Sequence, residues 1–183
     1  MSFDDQPCLE GRTIALRGLH ASDRTGLFRA ACDPETWAGH PARDRFNSDV
    51  FDPYFDFLLN AGGTCVVMDL TSNDLIGCSR YYVGPDAPDD IAIGFTFLNH
   101  SFWGGAVNFE LKTLMLDHAF STFDRVWFHI DPTNIRSQKA TAKLGAVLMA
   151  KRELELTGAG KKATWLCYAL DRDAWTRVKA AKR

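Results

Sequence analysis

No apolar run in the 183-residue sequence approaches the roughly 20 residues that a helix needs to span a bilayer, so no membrane helix is expected. Cysteine pairs at C-x-x-C spacing are missing as well. The five cysteines, Cys8, Cys32, Cys65, Cys78 and Cys167, are scattered and odd in number. A disulfide framework and a structural metal site are therefore not expected. Reduced cysteines packed as small core residues in a cytoplasmic protein are. An excess of charge of one sign is absent: 21 Lys and Arg face 23 Asp and Glu, a net charge of -2. That balance gives no global attraction to nucleic acid or to membranes; it leaves room for a local basic patch, while the lack of a basic stripe disfavours a nucleic-acid-binding module. Neither G-x-G-x-x-G nor G-x-x-x-x-G-K-[ST] occurs, so dinucleotide and nucleoside-triphosphate sites lack support. The first ten residues, MSFDDQPCLE, are acidic and polar, unlike a secretory signal. With no repeat, low-complexity tract or long linker, one domain over residues 1–183 is expected.

What is present is an ordinary globular composition, 46% hydrophobic and 24% charged. Thr13 to Arg17 reads as a first strand, followed by a helix capped around Ala21–Asp23 and reaching Cys32. A second helix is expected from about Asp52 to Asn60. Thr64 to Leu70 and Leu75 to Val83 read as a hairpin, and Pro85 to Asp90 as a loop before a strand from Ile91 to Leu98. Leu111, Leu114, Met115, His118 and Ala119 repeat at helical spacing. Val126, Phe128 and Ile130 alternate with Trp127 and His129 in a strand. Asn134 caps a helix that stops at Gly145, and two strands, Val147 to Leu156 and Ala163 to Leu170, flank a Gly158–Gly160 turn. A last helix starts near Asp173. One β-α-β crossover among mixed elements predicts a layered α/β fold.

The stretch from Ile93 to Ala146 carries the most chemistry. It runs strand, small-residue turn, helix, strand, helix, and aims two helix N-termini at the space around adjacent strand ends. Free N–H groups at such termini favour anions. Trp103, Gly104, Gly105, Ala106, Val107 and Asn108 form the first of these turns, where small side chains let a ligand approach the backbone. A tight turn with no ligand would use the same glycines.

Several pieces in order point to a family. Ile93-Gly94-Phe95-Thr96-Phe97-Leu98, Trp103, Asn108-x-Glu110-x-Lys112 and His118-Ala119-Phe120 come first. Asp131 with Asn134 and Ser137, Lys143-Leu144-Gly145-Ala146 and the closing Ala174-Trp175-x-x-Val178-Lys179 follow. Across nearly its whole length the chain resembles the GNAT acetyltransferases, in the branch related to the ribosomal-protein N-terminal acetyltransferases (RimJ/RimL-like). The resemblance implies an α/β fold, layered as α+β, with a mixed, mostly antiparallel, splayed sheet flanked by helices. It implies acetyl-CoA as co-substrate and a primary amine as acceptor, either a protein N-terminus or a small molecule. Thr96, Phe97 and Leu98 would pair with pantetheine, and the Trp103–Asn108 turn would hold the pyrophosphate. Asn134 and Ser137 would lie near the thioester, with Ser137 placed to donate to the departing sulfur. Arg136 and Lys139 read either as CoA-phosphate contacts or as solvated helix charge. Relatives are often dimers.

The pattern also has gaps. The pyrophosphate turn lacks the family's usual basic residue, and Ala92 stands where a Glu often precedes Ile-Gly. Acetyl transfer needs a neutral amine and a protonated leaving thiolate. His129, on the strand after the crossover helix, is the remaining base candidate, or else a buried structural histidine. Asp90 shares strand parity with Ala92 and could replace the missing carboxylate, or be a solvated loop-edge residue. Glu110 suits the positive end of its helix. A chain that has lost its base could instead be an attenuated acyl-CoA-binding protein.

Overall fold

The computed structural model describes residues 3–157 and 160–182, so the expected Gly158–Gly160 turn lies in part outside the described residues. Contacts divide the chain into two compact units. One is Met1–Tyr81 with Phe95–Met115, the other Tyr82–Gly94 with Leu116–Arg183. The eight strands are hydrogen-bonded in the order β1-β2-β3-β4-β5-β6-β8-β7.

The first unit contains β1 (Leu9–Glu10), β2 (Ile14–Gly18), α1 (Arg24–Ala31), α2 (Ser48–Ala61) and β3 (Thr64–Asp69). It also takes the start of β4 (Leu75–Gly84), the end of β5 (Ala87–Leu98) and most of α3 (Val107–Ala119). The pairings β1/β2, β2/β3 and β3/β4 are antiparallel. Strand β1 has no counterpart among the expected elements, being two residues whose partner is Ala15–Leu16. Helix α2 begins a turn before the expected Asp52, because Val50 and Phe51 N–H both bond Asn47 O. That extra turn brings Phe51 onto the same face as Tyr54, Phe55 and Leu58, all buried. They pack with Leu27, Ala31, Trp37, Val66 and Phe97 as the unit's core. Four such side chains fully buried are worth about 1.5–3 kcal/mol each. The Trp37 indole donates to Ala31 O at 2.8 Å, which satisfies its one polar atom.

The second unit contains the end of β4, the start of β5, β6 (Arg125–Ile130), α4 (Ile135–Ala142), β7 (Val147–Leu154), β8 (Ala163–Asp171) and α5 (Arg172–Ala181). The expected loop from Pro85 to Asp90 is instead a two-residue hairpin turn, Pro85-Asp86, after which β5 starts at once. Strands β6/β8 and β7/β8 pair antiparallel, while β5 and β6 pair in parallel. A parallel pair needs a crossover, and α3 supplies it. Gly145 follows α4 at φ +90°, where a non-glycine residue would be strained. The Trp175 indole donates to Asp117 Oδ1 at 2.9 Å, fixing α5. Among the described residues no helix is long and apolar enough to cross a membrane.

Candidate functional site

In the first unit, β5 ends at Leu98 and a 3-10 turn, His100–Phe102, leads to the segment that opens α3. The Trp103 indole donates to Leu98 O at 2.9 Å, so the strand end and the turn are tied together. Gly104, at φ +71°, and Gly105 are exposed, and a Cβ on either would meet nothing within 4 Å. Ala106 is exposed too, and its carbonyl accepts the Glu110 N–H at 2.8 Å, the first bond of the helix. The result is open, glycine-lined backbone at a helix N-terminus, the kind of place that accepts an oxyanion. Val107 and Asn108, half-buried, form the first turn. Phe97 and Leu98 are buried, Phe97 against Trp37 at 5.0 Å. Just before them Phe95, within β5, sits at φ +51°, a left-handed conformation that costs a non-glycine residue of order 1 kcal/mol.

Two residues on α3 take roles of their own. Glu110 accepts hydrogen bonds from the backbone N–H groups of Arg12 and Thr13 and from Thr13 Oγ1, so it fixes the chain entering β2. Burial would raise its pKa, but these hydrogen bonds outweigh that and hold it low. Lys112 is buried, and its Nζ donates to Thr96 Oγ1 at 2.8 Å, with Ser79 Oγ at 3.5 Å. Thr96 Oγ1 and Ser79 Oγ are themselves 2.6 Å apart. Desolvation by burial pushes the lysine down to about 7. The resemblance gives Thr96 a role through its backbone; its side chain anchors a buried amine that the sequence did not single out.

In the second unit, Asn134 caps α4 as expected, its Oδ1 accepting the Ser137 N–H at 3.1 Å. Ser137 is half-buried, and Arg136 and Lys139 are exposed on the same helix. The ladder between β5 and β6 has two residue pairs, Ile91↔Val126 and Ala92↔Trp127, whereas β6 pairs with β8 over its whole length. From Phe128 to Ile130, β6 therefore has a strand partner on one side only, among the described residues.

The base candidates fare differently. Ala92 is buried, a methyl group on the ladder. Asp90 lies on β5 rather than at a loop edge, and its Oδ2 accepts the Trp127 indole N–H at 2.8 Å. The His129 side chain is 0% exposed. Its Nδ1 lies 2.8 Å from Tyr82 Oη and its Nε2 3.1 Å from Asp86 Oδ1. An ionised Asp86 can only accept, so Nε2 carries the hydrogen and Nδ1 accepts from the Tyr82 hydroxyl. Burial lowers the His129 pKa despite the opposing pull of Asp86. The residue is thus a neutral imidazole with both nitrogens taken by the protein. The structure gives the expected base a different occupation, and strand parity could not have revealed it.

The comparisons agree with this architecture. Residues 13–147 match the acetyltransferase (GNAT) domain family. No curated protein sequence matches the chain. Among solved structures, a candidate acetyltransferase of T. thermophilus is 27% identical, with TM-score 0.73 over 99% of this chain and 96% of that one. A GCN5-related N-acetyltransferase from Brucella melitensis is 17% identical, with TM-score 0.78 over 96% of this chain and 83% of that one. Mycobacterium smegmatis RimJ, solved with CoA-disulfide, is 19% identical, with TM-score 0.65 over 97% and 94% of the two chains. The eight-stranded open mixed sheet, the small-residue turn opening the crossover helix and a family match over most of the sequence lead to one assignment: the chain belongs to the GNAT acetyltransferases.

Proposed function

We propose that this chain is an acetyl-CoA-dependent N-acetyltransferase of the RimJ/RimL-like branch, acting on a primary amine of low basicity. The observation that carries the cofactor half is the exposed Gly104–Ala106 backbone at the start of α3, where a Cβ on either glycine would enter open space. In the proposal Gly104 to Asn108 hold the pyrophosphate by backbone N–H groups, without the usual basic side chain, and Trp103 anchors the turn through its indole bond to Leu98 O. Thr96, Phe97 and Leu98 offer main-chain groups to pantetheine, and Asn134, Arg136, Ser137 and Lys139 complete the cofactor contacts. Ser137 donates to the leaving sulfur, and Asn134 holds the first turn of α4 that presents it. In the proposal the enzyme is a single cytoplasmic domain, and the homodimer expectation rests on the family resemblance alone.

The acceptor class follows from the missing base. A lysine side chain with pKa near ~10.4 is less than about 0.1% neutral at pH 7, whereas a protein α-amine near ~7.7–8.0 is roughly 10–15% neutral. With a methyl at Ala92, Asp90 held by Trp127 and His129 held at both nitrogens, the second kind of amine needs far less help. A protein N-terminus or a weakly basic small amine is the proposed acceptor. The same observations favour a second reading, an acyl-CoA-binding protein with attenuated catalysis.

One experiment separates them. Protein is mixed with acetyl-CoA and a panel of α-amino peptides, lysine-containing blocked peptides and polyamines, and free thiol is followed. Release with α-amines supports the transferase. Thermal stabilisation by CoA with no thiol on any amine supports the binder. Ligand at 100 times its Kd adds about 2.7 kcal/mol, roughly 5–10 °C for a chain of this size, so absence of any shift refutes both.

A further inference from the structure

Asp86, His129 and Cys167 come from three separate places: the β4–β5 turn, β6 and β8. His129 and Cys167 are direct partners in the antiparallel β6/β8 ladder, so the backbone sets their side chains together on one face. Asp86 completes the group, and the His129 nitrogen, the Asp86 carboxylate oxygen and Cys167 Sγ all lie within 4.8 Å of one another. The side chains of His129 and Asp86 are 0% and 4% exposed, and Cys167 is buried. Gly84 makes the arrangement possible. A Cβ there would lie 2.8 Å from His129 Cε1 and 2.9 Å from Asp86 Oδ1.

We propose that these three side chains form a binding site for a zinc-like divalent cation, lying in the second unit. The donor set is one nitrogen, one oxygen and one sulfur, the mixture that borderline-soft Zn²⁺ accepts. Tetrahedral bonds of about 2.0–2.3 Å place neighbouring donors roughly 3.3–3.8 Å apart. The donors, which lie within 4.8 Å of one another, have to draw together to that spacing as the cation binds. The fourth position falls to water. Charge also balances: a dication with one carboxylate and one thiolate is neutral overall, which a buried site requires.

The proton accounting is short. Asp86 ligates as its carboxylate, and Cys167 gives up its thiol proton to solvent as the sulfur–metal bond forms. His129 shifts its hydrogen from Nε2 to Nδ1, which then donates to Tyr82 Oη. That hydrogen bond, 2.8 Å in the present tautomer, holds the ring in the ligating orientation. Arg152, whose Nε is 3.9 Å from Asp86 Oδ2, stands in as counter-ion. Its side chain is 52% exposed and can swing outward, opening a path along the hairpin turn.

The site does not depend on acetyl transfer, and its test uses no activity assay. Chelator-stripped full-length protein, kept reduced with a phosphine, is titrated with Co²⁺. The expected result is one equivalent bound with a near-ultraviolet thiolate-to-cobalt charge-transfer band and intense tetrahedral visible bands, all lost when Zn²⁺ is added. Cys167→Ser should remove the near-ultraviolet band. Asp86→Asn should weaken binding by at least about tenfold, the usual minimum for disturbing a metal site. Replacing the exposed Cys8 and Cys32 together with Ser should leave the spectrum unchanged. Wild-type protein showing no charge-transfer band with stoichiometric Co²⁺ overturns the proposal, whatever the variants do. So does a band that survives Cys167→Ser.

Discussion

Burial of Lys112 should make stability depend on pH in a way that one substitution removes. Its amine donates to the hydroxyls of Thr96 and Ser79, and burial lowers its pKa from 10.5 in the unfolded chain to about 7 in the fold. Between those values the unfolded state binds more protons than the native one, so this group makes stability rise with pH. The slope approaches 1.4 kcal/mol per pH unit in the middle of the window. Integrated from pH 7 to pH 9, the gain is about 2 kcal/mol. Lys112→Met keeps the volume and leaves Ser79 and Thr96 bonded to each other, so no hydroxyl is stranded. The variant should therefore be more stable than the natural protein at pH 7, with the advantage shrinking by about 2 kcal/mol at pH 9, or roughly 4–8 °C in Tm. Buried Cys65 and Cys78, both pushed up to about 12, pull stability the other way above pH 9. They do so equally in both proteins and cancel in the difference. Urea unfolding at pH 7, 8 and 9 measures it. Parallel stability curves for the two proteins would refute a neutral buried amine.

Gly105→Glu should leave the fold intact, since its Cβ enters open space, while one added charge about 5 Å from a pyrophosphate costs about 3 kcal/mol at an effective dielectric of 20, or over 100-fold in CoA affinity. Calorimetric titration with CoA checks this, and unchanged affinity would move the cofactor elsewhere. Ser137→Ala should lower kcat with little change in CoA affinity; an unaltered rate removes its hydroxyl from the chemistry. Asn134→Ala should cost about 1 kcal/mol of stability through the lost cap as well as slow transfer, while Asn134→Asp, which still caps, should recover the stability. With no enzyme base, kcat/KM should rise with pH along the titration of the acceptor amine. His129→Gln should keep that limb, and an acidic limb that vanishes in this variant would restore His129 as the base.

The fold was legible where one element settles its own boundaries. Strand β6 occupies the residues its alternation marks, because Val126, Phe128 and Ile130 have to face a core. The α4 cap and its Gly145 stop were equally readable, each resting on local backbone chemistry. Boundaries moved where a neighbour decides them. Two-residue β1 carries no periodicity and exists through its pairing with β2. The Pro85–Asp90 stretch looks like a loop by composition, yet four of its residues extend β5 because β4 lies beside them.

The chemistry was less legible for a related reason. A motif can be read along the chain, as at Gly104–Ala106, when the backbone itself is the proposed binding group. Side-chain function here depends on register between strands distant in sequence. His129 and Cys167 are 38 positions apart yet directly opposed, and Ser79, Thr96 and Lys112 meet from two strands and a helix. Parity sets His129 on the face of β6 opposite Val126, Phe128 and Ile130 without saying what already occupies its nitrogens. The two hydrogen bonds with Tyr82 and Asp86 change the inference about the substrate as much as about the residue. In the proposed reaction, with the base candidates each held by other groups, selectivity passes to the acceptor's own basicity. An α-amine should then outcompete a lysine side chain by roughly the 100-fold or more that separates their neutral fractions at pH 7. Competition between two otherwise identical peptides, one with a free N-terminus and one blocked there but carrying lysine, measures that ratio directly. Equal rates would mean that a base is present after all.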